Sequence, residues 1–176
     1  MKAISLAIAA VLAACVLASA EDAPDGPDVT KQVTITITDT SANPGMAAAF
    51  EAAIQFQTES TEGYQKGYKL DGAPVREEYQ NESKSGSATA LVDGRLTVEV
   101  RIDGLPPEEL AAWLKRVDPK RLAGLKSEEA AGVVHFKKLV AALPDPPAGW
   151  TAEKADGSST QAGEFKVSQA SRTYTR

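Results

Sequence analysis

The chain has 176 residues, with 19 lysines and arginines against 24 aspartates and glutamates, and a formal net charge of −5. This acidic balance argues against a nucleic-acid-binding protein, which needs a basic surface to contact phosphates. One cysteine and one histidine are too few for a disulfide framework or for the usual zinc ligand sets.

Residues 1–20 have the pattern of a signal peptide. Lys2 gives a positive start, residues 3–17 form an uncharged apolar run, and the small residues of an ASA segment precede Glu21. We therefore expect cleavage after Ala20 and a periplasmic or secreted bacterial protein. No stretch reaches the ~20 apolar residues that a transmembrane helix needs, so no membrane-spanning helix is expected.

The same leader allows a second form of processing. Its LAAC segment ends at Cys15 and matches the bacterial lipoprotein pattern. In this alternative Cys15 carries a lipid that anchors the protein to the membrane. The apolar residues Val16 and Leu17 continue past the cysteine, which favours cleavage after Ala20.

The segment 21–31 is rich in proline, glycine and aspartate, which is typical of a flexible linker. Residues 32–176 then suffice for one domain with its own core. The domain starts with the clearest strand pattern of the chain, in which Val33, Ile35 and Ile37 alternate with threonines. We predict a strand over QVTITITDT.

A helix is predicted next, from Met46 to Gln57. Pro44 suits the first turn of such a helix, because its fixed φ is already helical. The predicted apolar face consists of Met46, Phe50, Ala53 and Ile54.

Two Asp-Gly pairs predict hairpins. The pair at 71–72 separates two candidate strands. The pair at 93–94 suits a two-residue type I′ turn, because both central residues of that turn need positive φ. This turn predicts that Leu91 lies opposite Leu96. The core-facing residues of the second strand are then Leu96, Val98, Val100 and Ile102.

Helices are predicted after this hairpin. The first follows Pro107, and its apolar stripe is Leu110, Trp113, Leu114 and Val117. Pro119 starts a further turn. Ser127 is expected to cap a longer helix, whose stripe is Val133, Phe136, Leu139, Val140 and Leu143.

The final segment, from Trp150 to Arg176, predicts two strands around a Gly/Ser loop. Alternating strands and striped helices together predict a single α+β domain, in which amphipathic helices pack on an antiparallel sheet. The first and last strands have no partner nearby in sequence, and each needs one. We therefore predict that 165–175 pairs antiparallel with 32–39.

Five segments of the chain resemble a family of small secreted or lipid-anchored bacterial proteins of unassigned activity. They are VTITITDTSANPG, ESKSGSATALVDGRLTVEV, the leucine- and aspartate-rich helix after it, PPAGW and SQASRTYTR. The resemblance implies that the last two segments precede the first one in the family, whereas here they follow it, which implies a permuted chain. The order of elements also resembles Mog1/PsbP-type domains at the level of the fold, which implies no chemistry.

Candidate catalytic residues are sparse. His135 is the only histidine, and no serine lies in a nucleophile-elbow pattern, so His135 is expected to be structural. Three glutamates lie close together: Glu77, Glu78 and Glu82. Adjacent residues of a strand point to opposite faces, so a solvated strand is expected there. No glycine-rich loop opens a helix, and no cofactor or metal site is predicted.

One basic cluster stands out: Lys115, Arg116, Lys120, Arg121 and Lys126. Such a patch suits anionic lipid headgroups or an acidic partner, although a hydrated helix face is the simpler interpretation.

The sequence contains no recognisable nucleophile–base pair, metal set or cofactor loop. We therefore expect a non-enzymatic binding or interaction module of the cell envelope, with an envelope protein or a small molecule as its partner. The alternatives are a hydrolase that uses carboxylates brought together by the fold and a lipid-anchored structural protein.

Overall fold

The computed structural model describes residues 30–40, 45–126, 132–162 and 165–176. The predicted leader, Cys15 and most of the predicted linker lie outside these ranges. The strands are β1 (Gln32–Asp39), β2 (Thr58–Glu59), β3 (Gly63–Leu70), β4 (Ala73–Gln80), β5 (Ser85–Val92), β6 (Leu96–Asp103), β7 (Thr151–Ala152), β8 (Asp156–Ala162) and β9 (Phe165–Thr175). The helices are α1 (Gly45–Ala53), α2 (Glu108–Arg116), α3 (Pro119–Ala123) and α4 (Phe136–Ala142).

The nine strands of the described ranges form one antiparallel sheet. Their order is β2-β3-β4-β5-β6-β1-β9-β7, and β8 also pairs with β9. Helix α2 packs against β5 and β6, and helix α4 packs against β8 and β9. This arrangement confirms the predicted α+β class.

The last strand pairs with the first, as predicted. The β1–β9 ladder runs antiparallel from Gln32 opposite Thr175 to Asp39 opposite Ser168. One residue beyond it, the Arg176 N–H donates to the Lys31 carbonyl at 3.0 Å. Strand β1 is therefore an interior strand, because β6 occupies its other side.

Side chains of both terminal strands contribute to the hydrophobic core. Val33, Ile35 and Ile37 of β1 are completely buried, and burying each such side chain contributes about 1.5–3 kcal/mol. The Tyr174 ring on β9 lies 4.8 Å from the Trp113 ring on α2. The stripe predicted for α2 is buried and includes the residue that follows the helix: Leu110, Trp113, Leu114 and Val117.

Trp113 of α2 joins the PPAGW and SQASRTYTR segments, because both Trp150 and Tyr174 pack against its ring. The Trp150 ring of the PPAGW segment packs edge-on against Trp113 at 5.1 Å. The Tyr174 hydroxyl donates to the Pro144 carbonyl at 2.8 Å. The loop before Trp150 therefore packs against the last strand through one aromatic cluster, and aromatic pairs of this kind contribute about 0.5–1.5 kcal/mol beyond their burial.

The hairpin between β5 and β6 departs from the predicted register by one residue. The Asp-Gly pair at 93–94 has positive φ at both residues, and the Arg95 N–H donates to the Val92 carbonyl at 3.3 Å. Val92 nevertheless pairs with Leu96, so Arg95 is an extra, bulged residue. The prediction of Leu91 opposite Leu96 is therefore wrong. The predicted core residues of β6 are all buried: Leu96, Val98, Val100 and Ile102.

The bulge directs the Arg95 side chain to the end of β1. Its Nη1 lies 2.7 Å from Oδ2 of Asp39, whose side chain is 0% exposed. The same carboxylate oxygen accepts the Val134 N–H at 2.7 Å, and Arg95 Nη2 donates to the Leu125 carbonyl. This buried ion pair therefore ties β1 to the segments that follow α3 and precede α4.

The helix predicted from Ser127 begins later than expected. Residues 127–131 lie outside the described ranges, and α4 begins only at Phe136. Gly132 has a φ of +68°, a left-handed conformation that interrupts a right-handed helix, and His135 is the residue that caps α4. Among the described residues, no helix is long and apolar enough to cross a membrane.

Two other predicted boundaries are also wrong. Helix α1 ends at Ala53 and not at Gln57. The Gly/Ser run at 157–159, expected as a loop between two strands, lies instead within strand β8, because its backbone pairs along β9. The free edge of β9 supplies donors and acceptors for the whole segment, and such pairing overrides a weak intrinsic strand preference.

Candidate functional site

Two tyrosines and a lysine share one face of β3. Tyr64, Lys66 and Tyr68 are spaced two residues apart, and alternate side chains of a strand point to the same face. The Asp-Gly turn at 71–72 pairs β3 with β4 so that Lys66 lies opposite Glu77. These four side chains therefore meet on one face of the two strands.

The Glu77 carboxylate is buried, with both oxygens hydrogen bonded. Its side chain is 3% exposed, whereas that of Lys66 is 47% exposed. Oε1 accepts the Tyr64 hydroxyl at 2.5 Å and lies 3.0 Å from Lys66 Nζ. Oε2 accepts the Tyr68 hydroxyl at 2.7 Å. A carboxylate withdrawn from water in this way requires such partners, because an unpaired buried charge is costly.

These contacts correct the expectation of a solvated strand. That expectation is wrong for Glu77 and correct for Glu78, which is exposed. Glu82 is also exposed, but it lies in the turn between β4 and β5. Glu77 and Glu78 point to opposite faces, as the strand geometry predicted.

The Lys66 ammonium also lies against both tyrosine rings. Nζ is 4.6 Å from the centroid of the Tyr64 ring and 5.7 Å from that of the Tyr68 ring. Both distances fall within the roughly 6 Å over which a cation is attracted to an aromatic face. We call the Glu77 carboxylate with these two rings the ammonium cage. In this structure, the cage is filled by the lysine of the same chain.

The two phenols of the cage keep their protons. Burial raises the pKa of Tyr64 above its usual value, and the hydrogen bond to the Glu77 carboxylate raises it further. Burial and the hydrogen bond to Glu77 likewise raise the pKa of Tyr68. Both hydroxyls are therefore fixed donors at physiological pH, and neither supplies a phenolate for catalysis.

The ammonium cage lines an open groove of about 690 Å³, which we call the tyrosine groove. The other lining residues include Gln57, Pro107, Glu108 and Ala111. Gln57 Nε2 donates to the Gly67 carbonyl at 3.3 Å. A side chain at Gly67 would place its Cβ 1.8 Å from the Ile54 carbonyl oxygen. Glycine is therefore required at this position, because the segment after α1 approaches β3 so closely.

The charge of the groove lining is net negative. Glu77 and Glu108 supply two carboxylates, and Lys66 supplies one ammonium. Glu108 is exposed, and it forms no ion pair with any residue in the described part of the chain. Among its described residues, the groove therefore presents one carboxylate without an ion-pair partner, in the first turn of α2.

The other sequence candidates lie elsewhere. His135 is half-buried, and its Nδ1 accepts the Lys137 N–H at 3.2 Å, so it acts as the N-cap of α4. The five residues of the basic cluster are all exposed, along the end of α2, α3 and the segment after it: Lys115, Arg116, Lys120, Arg121 and Lys126.

Two members of the basic cluster are bound within the fold. The Arg116 guanidinium lies 5.6 Å from the Trp113 ring, and Arg121 Nη2 donates to the Ala141 carbonyl at 2.9 Å. A role of the cluster in contacting lipid or an acidic partner stays a prediction.

No group of three or more His, Cys, Asp and Glu side chains that could hold a metal ion lies among the described residues.

A second depression, of about 500 Å³, lies on the opposite face of the sheet. Its lining includes Thr34, Ser87 and Arg101, which belong to one cross-strand row. Arg101 Nε lies 2.7 Å from Glu99 Oε1, with 69% of the arginine side chain exposed. These charges are hydrated and already paired, so the tyrosine groove, with its buried carboxylate and aromatic walls, is the better candidate site.

The chain matches no protein-family model and no curated protein sequence. The functional interpretation therefore depends on the geometry of the tyrosine groove. The sequence identifies the central residue of the groove, Glu77, but predicts that it is solvated, although the signal for its pairing is present. The Asp-Gly turn fixes the register of β3 and β4, and extending that ladder places Glu77 opposite the lysine of a Tyr-x-Lys-x-Tyr strand.

Proposed function

We propose that this protein is an exported binding module of the bacterial cell envelope, and that the tyrosine groove is its ligand site. The observation that carries the proposal is the ammonium cage, in which a buried carboxylate and two aromatic rings hold a cation at the wall of an open groove. Concave sites with aromatic walls and a few convergent polar groups are typical of ligand binding.

The geometry favours binding over carboxylate-based hydrolysis. Hydrolysis by a carboxylate pair needs one protonated acid and one free base or nucleophile. Both oxygens of Glu77 are occupied by the hydroxyls of Tyr64 and Tyr68 and by the Lys66 ammonium. Among the described residues that line the groove, only Glu108 remains as an unoccupied carboxylate, and one carboxylate does not form such a pair.

A ligand panel tests this function. We would add muropeptides, neutral sugars, amino sugars, polyamines and amino acids to the purified domain and follow thermal unfolding and two-dimensional NMR spectra. At least one class is expected to raise Tm in a saturable manner and to shift the resonances of groove residues. Because only ligands of the folded state stabilise it, a panel without any binder, or turnover of any member, would contradict the proposal.

Export is the second part of the proposal, and the leader supports it. Mass spectrometry of the protein from a bacterial envelope fraction is expected to give a mature N-terminus at Glu21. A diacylated or triacylated Cys15 would instead assign the lipid-anchored form, and an intact Met1 would contradict export.

A further inference from the structure

We propose that the ammonium cage is a binding site for the primary ammonium group of a ligand, and that Lys66 is its resident occupant, which the ligand displaces. This inference rests on the proposed function, since it names the chemical class that the tyrosine groove binds. The shared chemistry is a primary amine, carried either by a small molecule or by the lysine side chain of a partner protein.

The contacts of Lys66 define what the cage recognises. Its Nζ lies 3.0 Å from Glu77 Oε1 and within 6 Å of the Tyr64 and Tyr68 ring centroids. A carboxylate with two flanking aromatic faces favours a compact ammonium with N–H donors, because it offers both charge-assisted hydrogen bonding and cation–π attraction. A quaternary ammonium lacks the donors and would lose the first of these contacts.

Lys66 differs from the other members of the cage because it is able to leave. Its side chain is 47% exposed, while the Glu77 side chain is 3% exposed. The lysine stem is flexible, and its ammonium is hydrated readily, so moving it into water is inexpensive. The buried carboxylate has no such freedom, so an empty cage is unfavourable and the site is expected to hold one cation or another.

The groove supplies the contacts that a ligand needs to compete with Lys66. A tethered lysine competes at an effective concentration in the roughly millimolar range, so a bare ammonium ion is a weak ligand. Glu108, which has no ion-pair partner among the described residues, adds a carboxylate to the same groove, and Gln57 adds an amide. A ligand with a second amine or with hydroxyl groups would use these residues and would bind better than a simple alkylamine.

The test is chemical rescue of Lys66→Ala. This substitution removes three methylene groups and the ammonium, and n-propylammonium has three carbons and one ammonium. We expect Lys66→Ala to lower Tm by roughly 3–8 °C. Propylammonium at about ten times its Kd should restore roughly 3 °C, with saturation. Tetramethylammonium and sodium at the same ionic strength should not restore the Tm of this variant.

Two controls make the rescue specific. Lys69→Ala removes an exposed lysine from the same strand, and its Tm should respond to propylammonium no more than that of the wild type. The double variant Lys66→Ala with Glu77→Gln lacks the anion of the cage and should not be rescued. Absence of rescue in Lys66→Ala, or equal rescue in the double variant, would overturn the proposal.

If Lys66→Ala does not fold, a titration of the wild-type chain replaces the rescue experiment. Titration with 1,4-diaminobutane is expected to shift the NMR resonances of the Tyr64 and Tyr68 rings in a saturable manner, and Glu77→Gln should abolish the effect. Where Lys66→Ala folds, it should bind the diamine at least about tenfold more tightly than the wild type, because the tethered competitor is gone. Ring shifts that persist unchanged in Glu77→Gln would overturn the proposal.

Two arms of the titration distinguish the source of the amine. One uses 1,4-diaminobutane and glucosamine, and the other uses the peptide Gly-Lys-Gly with blocked termini. Tighter binding of the free amines assigns a small-molecule ligand, and tighter binding of the peptide assigns a partner lysine. A groove that binds only neutral sugars would contradict the ammonium inference and leave the binding function intact.

Discussion

Lys66 and Glu77 are paired across β3 and β4, and the ammonium of one lies 3.0 Å from the carboxylate of the other. The two side chains differ sharply in exposure, at 47% and 3%. The exposed ammonium is therefore displaceable, whereas the buried carboxylate is fixed. The predictions for the groove follow from this difference in exposure.

Glu77→Gln is expected to destabilise the domain by about 1–3 kcal/mol, because two partly buried tyrosine hydroxyls lose a charged acceptor. The matched control is Glu78→Gln, which changes the neighbouring residue of the same strand on its exposed face. That control should change the free energy of unfolding by less than about 0.5 kcal/mol. Urea denaturation measures both, and equal effects of the two substitutions would show that the burial of Glu77 has no energetic consequence.

The Asp39–Arg95 pair provides a second test of burial. Arg95→Met leaves the carboxylate of Asp39, which is 0% exposed, without its cation and should cost about 3–5 kcal/mol. Arg101→Met removes the exposed partner of Glu99 and should cost less than about 1 kcal/mol. Urea denaturation measures the free energy of unfolding of both variants. Equally small losses for the two substitutions would contradict the prediction.

Ionisation of the tyrosines is expected to destabilise the fold at alkaline pH. Burial raises the pKa of Tyr174 from 10.0 to about 12, so the folded state holds the phenolic proton more tightly than the unfolded state. The contribution to stability is complete below pH 10 and is lost as pH rises from 10 to about 12. Burial also raises the pKa of the other tyrosines: Tyr64, Tyr68 and Tyr79.

Ultraviolet titration of tyrosinate measures this effect. The chain has four tyrosines, and all of them should ionise together with unfolding, at a pH above their usual range. Tyr174→Phe should weaken the alkaline loss of stability. A normal titration of all four phenols in the folded protein would contradict the prediction.

The adjacent ends of the sheet predict that a circular permutant folds. Arg176 and Lys31 are joined by a backbone hydrogen bond of 3.0 Å, so a short linker between them would create a hairpin of β9 and β1. New ends between the exposed residues Asp145 and Pro146 would place the Gly-Trp segment first, in the order that the family resemblance implies. We expect an unchanged circular dichroism spectrum and cooperative thermal unfolding.

The control permutant opens the chain between Val98 and Glu99, inside the interior strand β6. Interrupting that strand should prevent folding, because both of its neighbours lose ladder hydrogen bonds. If both permutants fold equally well, or if neither does, proximity of the termini has no bearing on tolerance of a changed order.

Deleting Ser168 to Arg176 should cause aggregation. The deletion removes the partner of β1 along its whole length and exposes an unpaired edge of alternating threonine and isoleucine, which pairs readily with other chains. Size-exclusion chromatography detects the change. A truncated protein that stays monomeric, with unchanged thermal unfolding, would contradict this prediction.

Local sequence determined the strands and helices whose hydrophobic pattern is complete within one segment of the chain. The alternation of Val33, Ile35 and Ile37 specified a strand with one buried face, because side chains on a strand repeat with period two. The stripe on α2 specified its buried side in the same way. The unpartnered first and last strands even specified their mutual pairing, since an exposed edge needs a partner.

Tertiary structure alone decided the features that depend on packing at a distance. Whether Glu77 is solvated or buried depends on the tyrosines and the lysine that contact it, which strand alternation does not report. The bulged Arg95 pairs with the buried carboxylate of Asp39 on another strand, and strand β8 pairs along the free edge of β9. In each case a contact remote in sequence outweighed the local preference, because burial and ladder hydrogen bonds contribute more free energy than intrinsic propensity.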